Sequence, residues 1–364
     1  MIIENNNIEA FLELVRAGLW ESEAQLSQFG KVDYAEVMRL AEEQSVVGLI
    51  TAGVEHVVGI KVPKKEVLHF VGTALLLEQR NRAMNEFVAS LIGRLRKEDI
   101  YAILVKGQGV AQCYERPLWR ACGDVDLLLS DGNYKAAKDV LTPIAEEVSD
   151  ENTATKHQAY KINGFDVELH GRMPFGLSRR VDKVIDEAQR DVFFGGSVRS
   201  WTNGDTSVFL PSPDNDVIFV FTHFLHHFFI EGVGLRQICD WCRLLFTYKD
   251  SLNQGLLESR IRKAGLMTEW KVFGTLAVEY LGMPVEAMPF YDAGYKAKAE
   301  RVLRRILECG NFGHNKDLSY RMKYTGMTYK VLATWRRFLD FASLVLVFPL
   351  DAPRFFVRYM FNKV

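Results

Sequence analysis

The spacing of apolar residues changes twice along the chain, and this order restricts the fold more than any other feature. Residues 8–97 carry apolar side chains at every third or fourth position, which predicts helices with one buried face. Between about residues 100 and 170 the apolar runs are short, β-branched or alternating, which predicts strands. The helical period returns from about residue 214. The clearest C-terminal helices are predicted at 217–230, 235–248 and 267–281.

Four short strands are predicted in the middle of the chain, at residues 100–105, 125–129, 160–162 and 165–170. The dipeptide Asn163-Gly164 lies between the last two and is typical of a two-residue hairpin turn, so these strands should pair antiparallel. Strands joined by a hairpin, with helices around them, indicate an α+β fold. We expect an N-terminal helical region at 1–97, a small mixed-sheet core at 98–212 and a C-terminal helical domain at 213–364.

Composition and charge favour a cytoplasmic protein whose partner is not nucleic acid. The formal net charge is -1 in 364 residues, so no global basic field gathers a polynucleotide. The five cysteines are sparse and odd in number, which indicates reduced thiols. The N-terminus lacks a basic segment followed by an apolar one, so no signal peptide is expected. The apolar stretch 217–230 is short and contains three histidines, which favours a buried helix over a membrane span.

Asp124 and Asp126 stand at the start of the second predicted strand. Alternate residues of a strand project from the same face, so the two carboxylates point the same way while Val125 faces the core. Taken alone, such a pair is most simply a solvated strand end. If it is not solvated, a cation must compensate it. Magnesium is the natural choice, because it takes oxygen ligands and bridges carboxylates to substrate phosphates.

The same alternation places Asp166, Glu168 and His170 on one face of the second hairpin strand. If that strand neighbours Asp124, then Glu168 or Asp166 completes a three-carboxylate cluster. Such a cluster can hold two metal ions that stabilise the attacking and leaving oxygens of phosphoryl transfer. The run Lys106-Gly107-Gln108-Gly109 links a strand to a helix, where backbone N–H groups can cradle a phosphate. The glycine turn, the Asp-x-Asp strand and the acidic hairpin strand, in this order, indicate a phosphoryl-transfer site more specifically than any one of them alone.

The chain resembles a family of uncharacterised bacterial nucleotidyltransferases, within the DNA polymerase β-like superfamily, in the run ILVKGQGVAQCYERPLWRACGDVDLLL. The matching elements are Lys106-Gly107, Tyr114, Pro117, Arg120 and Asp124-Val125-Asp126. The segment 164–170 is similar to the family's next acidic motif, and His223 and residues 235–240 resemble its helical-domain motifs. The resemblance is spread over most of residues 35–245.

The resemblance implies a metal site and an activity. Asp124 and Asp126 would bind the metal, and Glu168 would complete the cluster and help to deprotonate an acceptor hydroxyl. The implied enzyme uses Mg²⁺, or Mn²⁺ in its place, to transfer a nucleoside monophosphate from a nucleoside triphosphate such as ATP. The near-neutral charge favours a small-molecule or protein hydroxyl as acceptor. The alternative is a catalytically degenerate protein of this fold that serves as a binding protein or scaffold.

The resemblance also implies where the nucleotide binds. Gly107 would lie against the triphosphate, and Lys106 and Arg120 would contact phosphates. The planar guanidinium fork favours Arg120 for that role. Gln108 belongs to the same nucleotide-binding turn, at a position where the superfamily usually has glycine or serine.

Five further residues are candidates for the cleft: Asp166, His170, His223, Arg236 and Asp240. Without the resemblance, His223 is more simply a satisfied core histidine, like His226 and His227 on the same predicted helix. Arg236 and Asp240 are four positions apart and are more simply an ion pair on one helix face.

Two signals outside the resemblance remain. Cys239-x-x-Cys242 has a redox-like or zinc-like spacing, but no second pair follows, so two buried helix cysteines are expected. The last 35 residues contain six basic and two acidic side chains among many aromatic ones. This tail is expected to pack on the helical domain, and peripheral membrane contact is the alternative.

Overall fold

The computed structural model describes residues 5–153, 155–173, 176–316, 323 and 325–362. Four helices precede the sheet: α1 (Asn6–Trp20), α2 (Tyr34–Glu43), α3 (Val47–Glu55) and α4 (Lys64–Lys97). The side chain of Asn5 caps α1, and that of Asp33 caps α2, by accepting bonds from backbone N–H groups of the first turn. The helical prediction for 8–97 is therefore confirmed, with turns between the helices.

Seven strands form one mixed sheet in the order β3-β4-β5-β2-β1-β7-β6. They are β1 (Ile103–Val105), β2 (Asp124–Leu128), β3 (Glu147–Val148), β4 (His157–Ile162), β5 (Phe165–His170), β6 (Val198–Asn203) and β7 (Thr206–Pro211). The four predicted strands are present, and the hairpin between β4 and β5 is confirmed. Asn163 and Gly164 both have positive φ, 51° and 75°, as this turn requires.

Ten further α-helices lie between the strands or after them in the described part of the chain. They are α5 (Gly107–Ala111), α6 (Asp131–Leu141), α7 (Arg179–Phe194), α8 (Pro213–Ile230), α9 (Leu235–Tyr248), α10 (Gln254–Ala264), α11 (Met267–Leu281), α12 (Lys296–Cys309), α13 (Gly326–Leu344) and α14 (Asp351–Asn362). The predictions for 235–248 and 267–281 agree with α9 and α11. The helix predicted at 217–230 begins earlier, because Pro213 is suited to the first helical turn.

The two faces of the sheet have different partners. Val125, Leu127, Val167 and Leu169 are fully buried on the face that packs against α4 and α6. The alternate residues of β2 and β5 therefore face the other side, toward α5, α8 and α9. Helices cover both faces, so the α+β fold class with flanking helices is confirmed.

The N-terminal and C-terminal helices share one apolar core. The indole Nε1 of Trp20 donates to the Leu281 carbonyl at 2.6 Å, and the Arg243 guanidinium donates to the Leu19 carbonyl at 3.1 Å. These contacts join residues more than 200 positions apart, so helices from both ends of the chain pack against each other. Among the described helices, none is both long and apolar enough to cross a membrane.

Candidate active site

Three carboxylates meet where β2 and β5 run side by side. The two strands are parallel, with Asp126 opposite Glu168. The candidate ligand oxygens of Asp124, Asp126 and Glu168 all lie within 4.8 Å of one another. Of the two residues predicted to complete the cluster, Glu168 does so. Asp166 lies outside it, because its side chain is 59% exposed and pairs with Lys161 at 3.2 Å.

The side chains of Lys106 and His170 contact Asp126, which is the most buried of these carboxylates. Lys106 Nζ lies 2.7 Å from Asp126 Oδ1, and His170 Nε2 lies 2.8 Å from the same oxygen. Lys106 directly follows β1 and has a positive φ of 58°, and Gly107 follows with φ 38°. A non-glycine residue rarely adopts this conformation. The strained turn directs the lysine back across the sheet toward Asp126.

The charges of this cluster are not balanced. Burial would raise the pKa of Asp126, but the Lys106 ammonium and the His170 bond outweigh it and hold the pKa below its usual value. The charge of Asp126, followed by burial, raises the pKa of Asp124. A divalent cation would relieve this repulsion, and carboxylate oxygens are the ligands that Mg²⁺ and Mn²⁺ prefer. The residues present therefore fit such an ion.

Glu168 is held by two histidines. Its Oε2 lies 3.2 Å from His157 Nε2 and 3.4 Å from His170 Nε2. The bonds from His157 and then from His170 lower the pKa of Glu168. His157 was not among the predicted site residues. The hairpin register could have found it, because counting outward from Asn163-Gly164 places residue 157 opposite His170, as the structure shows.

A cleft opens beside the carboxylates, between the sheet and the helices α8 and α9. Its walls contain eight of the predicted site residues: Lys106, Gly107, Arg120, Asp124, Asp126, His223, Arg236 and Asp240. Phe312, which lies after α12, and Gln237 also line it. No local sequence signal marks Phe312, since only the folded chain carries it to the cleft.

Arg120 and Asp240 form a buried pair on the wall opposite the carboxylates. The guanidinium binds Asp240 through two bonds, of 3.0 and 2.5 Å, and Tyr114 Oη donates to the same carboxylate at 2.8 Å. The ion pair predicted between Arg236 and Asp240 is therefore wrong. Arg236 instead donates to the Ala121 carbonyl at 2.7 Å. The partner of Asp240 comes from a distant loop, which helix spacing cannot show.

Among the basic side chains of the cleft, Arg236 has the smallest share of its hydrogen-bond donors paired. Its Nε is buried and has no hydrogen-bond partner among the residues that the structure describes. Burial, and then the nearby Arg120 charge, lower the pKa of Arg236. Arg236 thus lies near the paired Arg120 guanidinium but donates to the Ala121 carbonyl rather than to Asp240. The cleft has an acidic wall on the sheet and a basic wall on α9, so it can accept a cation and an anion together.

The side chain of Gln108, a residue of the predicted nucleotide-binding turn, does not face the cleft. Its side chain is 2% exposed, and its amide nitrogen lies 2.5 Å from Met84 Sδ on α4. The amide therefore points into the core, away from the cleft. Packing of α5 turns the side chain inward, and nucleotide binding by this turn stays a prediction. Any contact of Gln108 with a phosphate would use its backbone N–H.

Two of the three histidines of α8, His223 and His227, have different environments. Burial, and then the Lys106 charge, hold the pKa of His223 well below its usual value, so its imidazole is neutral in the cleft. His227 pairs with Glu231 at 3.0 Å, away from the cleft lining. The expectation of a core histidine thus fails for His223, which reaches the site. Cys239 and Cys242 are fully buried in α9, as expected.

Comparison with known proteins agrees with the fold and identifies a family. A protein family described as uncharacterised nucleotidyltransferase matches residues 30–282, which is more than two thirds of the chain. The chain belongs to that family. The match contains the sheet, the carboxylates and the helices that line the cleft. No curated protein and no solved structure matches the chain.

Proposed function

We propose that this protein is a Mg²⁺-dependent nucleotidyltransferase that moves a nucleoside monophosphate from a nucleoside triphosphate to a hydroxyl group. The observation that carries the proposal is the convergence of Asp124, Asp126 and Glu168 within 4.8 Å at the edge of a cleft. These three residues would hold the cation, with Mn²⁺ as a substitute for Mg²⁺. When bound, the cation neutralises charge on the phosphates and on the attacking oxygen.

Basic side chains from both sides of the cleft supply the phosphate contacts in this proposal. Arg236 has a buried Nε with no partner in the described structure, so an incoming phosphate oxygen would satisfy it. Lys106 would exchange its bond to Asp126 for a phosphate oxygen once the cation compensates that carboxylate. Arg120 is already bound by Asp240, so we assign it the role of shaping the wall rather than of a main phosphate ligand.

The transfer requires one bond to form and one to break. The acceptor oxygen forms a bond to the α-phosphorus, while the bond from that phosphorus to the α,β-bridging oxygen breaks and pyrophosphate leaves. The proton of the acceptor hydroxyl passes to Glu168. Because the pKa of Glu168 is lowered by its two histidines, it is a weak base, and proton transfer should accompany bond formation rather than precede it. The acceptor is proposed to be a small molecule or a protein.

One observation favours the second candidate, a nucleotide-binding protein without catalysis. Asp126 is already compensated by Lys106 and His170, at 2.7 and 2.8 Å, and so is stable without a metal ion. In that case a triphosphate would bind the basic wall with or without Mg²⁺. The two candidates differ in whether nucleotide binding requires the cation.

The deciding experiment uses nucleoside triphosphates labelled at either the α- or the γ-phosphate. Each is incubated with the protein, Mg²⁺ and a fractionated cell extract that supplies acceptors. Transfer of a nucleoside monophosphate moves the α-label to an acceptor and releases the γ-label as pyrophosphate. Movement of the γ-label to the acceptor instead would show phosphoryl transfer and overturn the proposal.

Two variants make the test specific. Asp126→Asn removes a central carboxylate charge with little change of shape, and we expect it to abolish transfer and Mg²⁺-dependent nucleotide binding. Asp166→Asn is the matched control, because Asp166 lies on the same face but is exposed and outside the cluster. If Asp126→Asn binds nucleotide like the wild type and neither protein transfers a label, the noncatalytic candidate is supported.

A further inference from the structure

Helix α13 exposes a continuous apolar face. Met327, Val331, Trp335, Phe338 and Leu339 have exposed fractions of 77, 60, 56, 43 and 49%. Their spacing of three or four residues places them on one side of the helix. Scattered apolar side chains are normal on protein surfaces, but a contiguous set of large ones marks an interaction site.

This face is not the one that attaches α13 to the protein. Phe341 and Leu344 are 2% exposed and belong to the main apolar core. The ring of Phe341 lies 6.0 Å from that of Phe229 on α8, and Phe355 of α14 lies 4.9 Å from the same ring. The sequence expectation that the tail packs on the helical domain thus holds for one side, while the opposite side remains open.

The segment after α13 extends the apolar surface. Leu346 and Leu350, in the connection to α14, are 73 and 81% exposed, and Val357 and Phe361 on α14 are 52 and 75% exposed. Rings join the two helices, since Phe338 lies 5.8 Å from Phe356. The apolar side chains therefore belong to one helical hairpin. We call residues 326–362 the C-terminal hairpin.

The hairpin is basic although the whole chain is close to neutral. It contains five basic residues and two acidic ones: Lys330, Arg336, Arg337, Arg354, Arg358, Asp340 and Asp351. Both acidic residues and three of the basic ones form ion pairs. Asp340 pairs with Arg305 at 3.0 Å and with Arg337 at 3.9 Å, Asp351 pairs with Arg354 at 3.2 Å, and Arg358 pairs with Asp182 at 3.2 Å. At about 100° per residue, Lys330 and Arg336 lie about 60° beyond opposite edges of the apolar face. Both are exposed.

We propose that the C-terminal hairpin docks this protein on an anionic bilayer surface. An apolar face with aromatic side chains, bordered by basic ones, suits a helix that lies in the headgroup region. The long stems of Lys330 and Arg336 allow their charges to reach lipid phosphates while the apolar face is immersed. A second copy of the chain suits this face less well, because the basic borders of two hairpins would repel each other. The proposal is independent of the proposed enzymatic function.

The test is flotation of the full-length protein with lipid vesicles. Vesicles of phosphatidylcholine mixed with phosphatidylserine are compared with vesicles of phosphatidylcholine alone. We expect the protein to float with the mixed vesicles and its partition coefficient to fall about tenfold on neutral vesicles or in high salt. Equal binding to both vesicle types would overturn the electrostatic part of the proposal and with it the proposal.

Two variants separate the apolar and basic contributions. Trp335→Gln with Leu339→Gln should lower partitioning about tenfold or more, as should Lys330→Glu with Arg336→Glu. The control pair is Leu68→Gln with Leu76→Gln, because these residues of α4 are similarly exposed, at 63 and 69%. Circular dichroism checks that each variant is folded.

The remaining outcomes overturn the proposal. If the control pair lowers partitioning as much as the hairpin pairs, the hairpin is not the docking surface. If the wild type fails to float and light scattering shows dimers that Trp335→Gln with Leu339→Gln converts to monomers, the face is an interface between copies of the chain. Both variants alter exposed side chains, so loss of the fold is not expected to confuse the result.

Discussion

The buried pair of Arg120 and Asp240 gives the sharpest stability prediction. The two side chains are 5 and 6% exposed, and two hydrogen bonds join them. Asp240→Asn keeps the shape of the side chain but leaves the Arg120 charge buried beside a neutral amide. Removing one partner of a buried pair costs about 3–5 kcal/mol. Asparagine still offers one acceptor, so we expect a loss of about 3 kcal/mol in the free energy of unfolding.

Urea unfolding, followed by circular dichroism and by tryptophan fluorescence, measures this loss. The two signals should change together, and the slope against urea should match that of the wild type, so that the midpoint alone reports stability. Glu258→Gln is the control, because its pair with Arg262 is exposed and should contribute less than about 0.5 kcal/mol. A loss below about 1 kcal/mol for Asp240→Asn, at an unchanged slope, would refute the argument that this pair is desolvated.

A double variant that should recover part of the lost stability checks the same reasoning. Replacing both residues by apolar ones, Arg120→Met with Asp240→Leu, removes the uncompensated charge. The double variant should therefore be more stable than Asp240→Leu alone, as expected when an unpaired buried charge causes the loss. Additive losses would contradict this. The readout is the unfolding midpoint, so it does not depend on the proposed activity.

Three other changes test separate features. Burial raises the pKa of Glu269 well above its usual value, so its stabilising contribution is complete below the unfolded pKa of about 4.3 and is lost as pH rises. The stability gained by Glu269→Gln should thus grow from about pH 5 upward, by at most about 1.4 kcal/mol per unit. Gly18→Ala should destabilise by about 2 kcal/mol or more, because the new Cβ would lie 1.9 Å from the Leu49 carbonyl oxygen. His157→Ala should weaken cation binding about tenfold, measured by titration calorimetry with Mn²⁺, because it frees Glu168 to move.

Each of these predictions has a clear contrary result. A pH-independent difference between Glu269→Gln and the wild type would mean that the carboxyl is not desolvated. Gly72→Ala on α4 has open space around it and should stabilise by up to about 1 kcal/mol, so a loss as large as that of Gly18→Ala would exclude a steric cause. An unchanged Mn²⁺ affinity in His157→Ala would show that this histidine does not orient Glu168.

The local sequence was enough to predict the acidic face and the strands β1, β2, β4 and β5, whereas β3, β6 and β7 were not predicted. A strand alternates its side chains with a period of two, so Asp124 and Asp126 had to share a face, as did Glu168 and His170. The dipeptide Asn163-Gly164 favours one turn type, which determined the hairpin and its register. These features depend on neighbouring residues alone, and therefore sequence reasoning could reach them.

Only the tertiary structure decided how the acidic face is used. The parallel pairing of β2 with β5 selected Glu168 over Asp166, and no local pattern specifies which strands become neighbours. The partner of Asp240 is Arg120, 120 positions away, rather than the residue one helical turn before it. Packing of α5 turned Gln108 into the core. Such contacts depend on how distant segments fill a common interior, which the periodicity of a single segment does not record.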